Sequence, residues 1–239
     1  MKMHVRDVIH DTMRKNPVLE SYLSAEEIDK LVRYWELVQH WGRSLNLSRR
    51  KDPAEWACAD VADSFLGLHA TGLFTEKTEN RVEHAMDVGS GAGFPGVALA
   101  MLCETVYPAD SIEVRWIETL QKRVSFLHRV GRELRLPQVK ACHMRIEDVS
   151  EPADWVTIRA TFPWQELHQA RNCVAAGGTL VAFVGREPSA GQWTDEVGRW
   201  GWTAHWIPYE VEGLGERAMA LASRPLESGS SVAEERGTV

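Results

Sequence analysis

Residues 87–96 read Asp87-Val88-Gly89-Ser90-Gly91-Ala92-Gly93-Phe94-Pro95-Gly96, where an apolar run ends and a helical pattern begins. Glycine carries no Cβ, so backbone here can approach a ligand closely. Pro95 suits the first turn of a helix, where a missing N–H costs nothing. The free amides at such a helix start favour an anionic group. Gly91, Gly93 and Gly96 also satisfy the G-x-G-x-x-G pattern of dinucleotide sites, a weak match when alone. Two features favour S-adenosylmethionine over a dinucleotide. Asp87 stands at the strand end two residues before the first glycine, placed to meet the cationic amino-acid end of that ligand. The chain also closes on two strands with hairpin spacing, which suits a methyltransferase sheet better than a dehydrogenase. Glu118, directly after the second apolar run, is placed to hydrogen-bond a ribose diol, a role that both cofactors share.

Outward from the loop, apolar or β-rich runs fall at 82–88, 112–117, 139–144, 155–158 and 179–184. Segments 95–103, 120–134 and 163–175 are long enough for helices between them. Strands alternating with helices predict βαβ units and a doubly wound parallel sheet. Runs at 202–209 and 217–223 have only 210–216 between them, so they predict a hairpin and an antiparallel last strand. Upstream, Ser24 and Glu27 read as a capping box, and Ile28, Leu31, Val32, Trp35, Leu37 and Val38 follow at helical spacing. A second helix is expected over 53–68. The division is a helical N-terminal subdomain at 1–75, with a polar linker from 75 to 81, a cofactor-binding α/β domain at 76–225, and a disordered tail at 226–239. The fold class is α/β and Rossmann-like, with a mostly parallel seven-stranded sheet.

The hydrophobic fraction of 44% and charged fraction of 26% are those of a soluble globular protein and exclude disordered and membrane classes. The four cysteines, Cys58, Cys103, Cys142 and Cys173, are far apart in sequence, and nine histidines show no ligand spacing. No metal is expected, and the thiols read as reduced core residues of a cytoplasmic protein. The net charge of -7 argues against a nucleic-acid partner. The charge is segregated, however. Residues 115–145 hold eight cations (Arg115, Lys122, Arg123, Arg129, Arg132, Arg135, Lys140, Arg145) against Glu118 and Glu133, a local net charge of +6. Trp193, Trp200, Trp202 and Trp206 cluster near the C-terminus and are read as packing residues rather than base-stacking ones.

The run 87–96, followed by Glu118-Thr-Leu-Gln-Lys122-Arg123-Val-Ser-Phe126-Leu127, resembles the bacterial RsmG (GidB) family, 16S ribosomal RNA guanine-N7 methyltransferases. Trp41 with Asn46-Leu47-Ser48, then Asp63-Ser64, Arg145-Ile146-Glu147 and Ile158-Arg159-Ala160 resemble further family segments in the right order. The resemblance spans roughly residues 20 to 222. It implies a class I S-adenosylmethionine-dependent methyltransferase whose cofactor lies against Gly89, Phe94, Ile146, Glu147 and Arg159. With the loop residues Asp87, Gly91 and Gly93 and with Glu118, these form the expected cofactor site. Arg145 and Arg159 are the expected catalytic residues, and Asn46, Asp63, Arg123 and Arg145 the expected substrate contacts. The implied partner is 16S ribosomal RNA or the small ribosomal subunit, with no membrane. Two positions depart from the family pattern. Val184 stands where a lysine is usual at the end of the fifth strand, and Asp60 where a histidine precedes the aspartate–serine pair. Both remove positive charge, and Arg186 is a candidate replacement. They leave a different RNA or a small molecule open as the substrate. Guanine N7 has a lone pair and no proton, so its methylation needs no general base, and Arg159 is expected to orient rather than to move protons.

Overall fold

A computed structural model describes residues 4–48, 50–74, 82–108, 111–185 and 187–226. The expected linker, the tail beyond Leu226, and Arg186 lie outside the described residues. Before the sheet come α1 (Val5–Arg14), α2 (Pro17–Glu20), α3 (Ala25–Leu45), α4 (Pro53–Trp56) and α5 (Asp63–Ala70), the last two joined by a π-helical stretch at Ala57–Ala62. The sequence reading missed α1, although Val8, Ile9, Thr12 and Met13 bury one face at helical spacing. The Ser24 side chain caps α3 by accepting the Glu26 amide at 3.2 Å. Its hydroxyl meets the Glu27 carboxylate, so the reciprocal half of the expected capping box is replaced by a side-chain contact. The helix ends at Asn46, whose φ of 51° is the left-handed stop that asparagine tolerates.

The sheet contains β1 (His84–Val88), β2 (Glu113–Glu118), β3 (Val139–His143), β4 (Ala153–Arg159), β5 (Val174–Val184), β6 (Thr203–Val211) and β7 (Gly215–Ser223). Their order is β3-β2-β1-β4-β5-β7-β6. The first five pair in parallel. The last strand, β7, runs antiparallel between β5 and β6, as the hairpin spacing predicted. The order reverses between β1 and β4, which opens a crevice at the carboxyl ends of these strands. Helices α6 (Gly96–Val106), α7 (Gln121–Glu133) and α8 (Ala190–Arg199) complete the fold.

One helical expectation changes, and one further helix was not expected. Segment 163–175 is 3₁₀ rather than α, over Trp164–Cys173. Its buried residues, Leu167, Ala170 and Cys173, recur every third position, which is the 3₁₀ repeat. The helix α8 went unread because only Trp193 and Val197 bury its inner face. Its signal was the capping box of Ser189 and Gln192, which does form. Alternate strand residues feed two cores. Ala85, Val114, Trp155 and Val181 pack with the N-terminal helices, α6 and α7. Met86, Val156, Leu180 and Ala182 pack with the 3₁₀ segment and α8. The C-terminal tryptophans belong to this second core: Trp193 donates to the Leu221 carbonyl at 2.9 Å, and Trp200 meets Trp202 edge to face. No helix among the described residues is long and apolar enough to cross a membrane.

Candidate functional site

The glycine loop turns directly off β1. The Gly89 and Ser90 amides both donate to the Ile117 carbonyl of β2, at 2.9 and 3.0 Å. Gly89 adopts φ 72°, and a Cβ there would lie 2.4 Å from Thr161 Oγ1, so only glycine fits between the loops after β1 and β4. The Tyr34 hydroxyl of α3 donates to the Ala92 carbonyl and pins the loop from the helical side. Glu118, at the end of β2, is buried. Its Oε2 accepts the Gly91 amide at 3.1 Å and pairs with Arg123 at 3.6 Å, while its Oε1 accepts the Leu120 amide at 2.9 Å. Thr119 Oγ1 also donates to Oε1, at 3.3 Å, so three of a carboxylate's roughly four acceptor positions are hydrogen-bonded within the protein and about one is left for a ligand hydroxyl.

Three cavities meet along this edge, and Ala160, just past β4, borders all of them. Ala160 holds φ 51°, a left-handed conformation that costs a non-glycine residue about 1 kcal/mol. The first cavity, about 490 Å³, is bounded by Gly89, Glu118, Arg123, Arg145, Ile146 and Glu147. The second, about 660 Å³, lies on the helical side between Gly89, Gly91, Phe94, Arg159, Arg50 and Asp60. The third, about 320 Å³, runs beyond Arg159 between Asp63, Phe183, Val184, Tyr209 and Arg217.

Arg159 separates the second cavity from the third and is tied to the helices. Its guanidinium donates to Asp63 Oδ2 at 2.8 Å, Ser64 Oγ at 2.9 Å and the Ala59 carbonyl at 2.7 Å. It also lies 5.5 Å from the centre of the Phe183 ring. Asp63 Oδ1 accepts the Tyr209 hydroxyl at 2.8 Å, and Arg217 Nε is 3.7 Å away. The Tyr209 hydroxyl is held well above its ordinary pKa by burial and by that carboxylate. Asp60, the departure from the family pattern, meets Arg50 at 3.0 Å. Burial still raises its pKa, against the pull of Arg50.

The structure brings some expected residues together and disperses others. Gly89, Glu118, Arg123, Arg145, Ile146 and Glu147 share the first cavity. Asp87 borders none of the three cavities. It is fully buried, and its Oδ1 accepts Thr157 Oγ1 at 2.8 Å. Strand alternation puts it on the same face as Ala85, with its carboxylate against Gly96 at the start of α6. Gly93 likewise borders none of the three cavities, since Tyr34 fills the space beside it. Asn46 caps α3 and borders a separate recess with Arg50 and Lys51. Asp63 spends its oxygens on Arg159 and Tyr209 rather than standing free for a substrate. The two expected catalytic arginines share none of these cavities. Arg145 is exposed at the rim of the first and paired with Glu147 at 3.2 Å. Sequence reasoning missed Tyr34, Tyr209 and Arg217. The last two are direct partners in the β6–β7 register, a signal available only once the hairpin turn is known.

A family model described as "GidB: rRNA small subunit methyltransferase G" matches residues 27–196. The chain belongs to this family. It is an S-adenosylmethionine-dependent methyltransferase. Among relatives, the ribosomal RNA small subunit methyltransferase G of Bordetella pertussis is 33% identical over 195 residues, covering 80% of this chain and 79% of the relative. The protein of that name from Polaromonas naphthalenivorans is 28% identical over 173 residues, covering 72% and 76%. Among solved structures, a magnesium protoporphyrin IX methyltransferase from Synechocystis with bound S-adenosylmethionine superposes with a TM-score of 0.54 at 11% identity. It covers 84% of this chain and 98% of its own, which establishes a common fold.

Proposed function

We propose that this enzyme transfers a methyl group from S-adenosylmethionine to N7 of a guanine in 16S ribosomal RNA, acting in the cytoplasm on that RNA or on the small subunit. The observation that carries the reading is the junction at Arg159–Ala160, where the glycine-loop cavities open beside an aromatic, arginine-bordered one. The first cavity suits the nucleoside of the cofactor. Ile146 and Ile117 offer apolar walls, Glu118 an acceptor, and Gly89 a close backbone. Asp87 is removed from that set by its burial, and Asp60, bordering the second cavity, is the better-placed carboxylate for a cationic amino-acid end.

The cofactor supplies the activated methyl group when bound. The protein's own task is position and exclusion of water. Arg159, immobilised by three hydrogen bonds, is the wall against which the acceptor base would rest. Phe183 and Tyr209 supply ring surface for a purine beside it. The carboxylates at the junction are each held by a guanidinium, Asp60 by Arg50 and Asp63 by Arg159. Neither is a free base, which accords with a nitrogen that has no proton to lose. Arg217 brings a cation to the cavity that contains Val184, from β7 instead of β5. Val184 itself, apolar where the family pattern has lysine, is the observation that favours the second reading, a different RNA or a small-molecule acceptor.

The test is chemical mapping of ribosomal RNA. N7-methylguanine yields an aniline-induced strand break. RNA from a strain with the enzyme should break at one small-subunit guanine, and RNA from a deletion strain should not. Identical patterns would defeat the 16S reading and turn attention to the alternative acceptors.

A further inference from the structure

We propose that the groove between α3 and α7 is a docking site for the phosphodiester backbone of RNA, with Lys122 and Arg132 as its phosphate contacts. The proposal rests on the reading of the enzyme as acting on RNA. The basic segment 115–145 is the starting point. Five of its eight cations have a carboxylate within 4.0 Å. Arg115 meets Glu113 and Glu151, Arg123 meets Glu118, Arg129 meets Glu133, Lys140 meets Glu113, and Arg145 meets Glu147. The remaining three, Lys122, Arg132 and Arg135, have no carboxylate within 4.0 Å among the described residues, and Arg132 interacts with Glu133 only through a longer-range attraction. All three are exposed, and they lie on α7 or just past its end.

Lys122 and Arg132 border the same groove, of about 550 Å³, together with Arg129 and His128. Its apolar side is made by Trp41 and Leu45 of α3 and Phe126 of α7. Cations along an aromatic-lined groove are the combination that tracks a nucleic-acid strand. The start of α7 points the same way. Its N-cap is Leu120, which offers no side-chain cap, and its first turn holds no acidic residue but both Lys122 and Arg123. Positive charge at a helix N-terminus opposes the macrodipole; Arg123 is offset by its pair with Glu118, whereas Lys122 has no such compensation. A local rule broken without a local gain is characteristic of a functional surface. Lys122 and the helix start together place positive potential at this end of the groove.

The groove neighbours the glycine-loop cavities through Arg123 and Leu45. Arg123 donates to the Leu45 carbonyl at 3.4 Å and borders both glycine-loop cavities. RNA held along α7 would thus lie next to the cavities proposed for the cofactor. On a chain of net charge -7, a short unpaired basic strip favours docking at this one place over coating of the surface.

The experiment measures binding of the full-length protein to a 16S ribosomal RNA transcript across a salt series. Each phosphate contact contributes about one unit to the slope of log affinity against log salt, so K122A/R132A should flatten the slope by about two and weaken binding. The conservative K122R/R132K should restore both. Calorimetric affinity for S-adenosylmethionine, measured without RNA, should be the same in all three proteins and reports that they are folded. An unchanged slope and affinity in K122A/R132A overturns the proposal. So does poly-glutamate binding as tightly as the RNA, which would assign the groove to an acidic protein. If groove-dependent RNA binding is found but no 16S guanine is methylated, the groove stands and the N7 reading falls. If the guanine is methylated and the slope does not move, the reverse holds.

Discussion

Asp87 sits inside the glycine-loop motif, yet its carboxylate is sealed under the loop and bonded to Thr157. Burial pushes its pKa up from 3.8 to about 6, although Thr157 and Ser90 pull the other way. A carboxyl whose folded pKa is raised binds its proton more tightly in the folded state. Its ionisation therefore costs stability, by nothing below about pH 4 and by the full amount above about pH 6. Two pKa units correspond to about 3 kcal/mol. Asp87→Asn, which cannot ionise, should gain roughly that much on wild type between about pH 4 and pH 7. Urea midpoints of both proteins at the two pH values measure it, and a gap independent of pH would show that Asp87 does not titrate in this range. The same residue marks the limit of motif reading. An aspartate at a strand end is visible in sequence, but the face it occupies depends on strand register. Glu118 was readable because it ends β2, where the chain leaves the sheet toward the crevice.

Among the elements, the contact between α5 and the sheet edge turns on Asp63. Three groups from three strands converge on it: Arg159 of β4, Tyr209 of β6 and Arg217 of β7. The π-helical stretch before α5 presents the Ala59 carbonyl to the same guanidinium. Removing one partner of a buried pair strands the other, so Asp63→Ala should cost about 3 kcal/mol in urea unfolding. Asp63→Asn keeps an acceptor for Tyr209 and should cost less. Equal, negligible losses in both would mean that water replaces the carboxylate without penalty. The pair Asp63-Ser64 was legible as a motif, but its use was not. A substrate contact and a clasp to β4 have the same sequence signature, and they differ only in what lies within 3 Å. The 3₁₀ segment and α8 show a related limit. Length and apolar content announce a helical connection, while the period of burial is settled by the surface it packs on.

For the molecule as a whole, the N-terminal helices and one face of the sheet share a single apolar cluster, from Ile9 and Leu31 through Phe65 to Trp116 and Leu221. The helices are thus expected to unfold with the sheet. Thermal or urea curves followed by helical circular dichroism and by tryptophan fluorescence should coincide in one transition. Two separated transitions would show that residues 1–75 are an independent unit. The net charge of -7 acts at this scale too, since it opposes bulk binding to polyanions and leaves only unpaired cations to guide RNA. By itself the sequence determined the alternation of strands and helices, the glycine turn, the closing hairpin and the excess of basic residues after β2. These are local signals, carried by period, by φ tolerance and by composition along a short stretch. The tertiary structure alone decided that Asp87 faces inward, that Arg159 is spent on Asp63, that Arg217 faces the cavity containing Val184, and which three cations of 115–145 have no carboxylate within 4.0 Å among the described residues. Each of these depends on groups distant in sequence coming within a few ångströms. Burial and ion pairing are properties of that proximity, and no pattern along the chain encodes them.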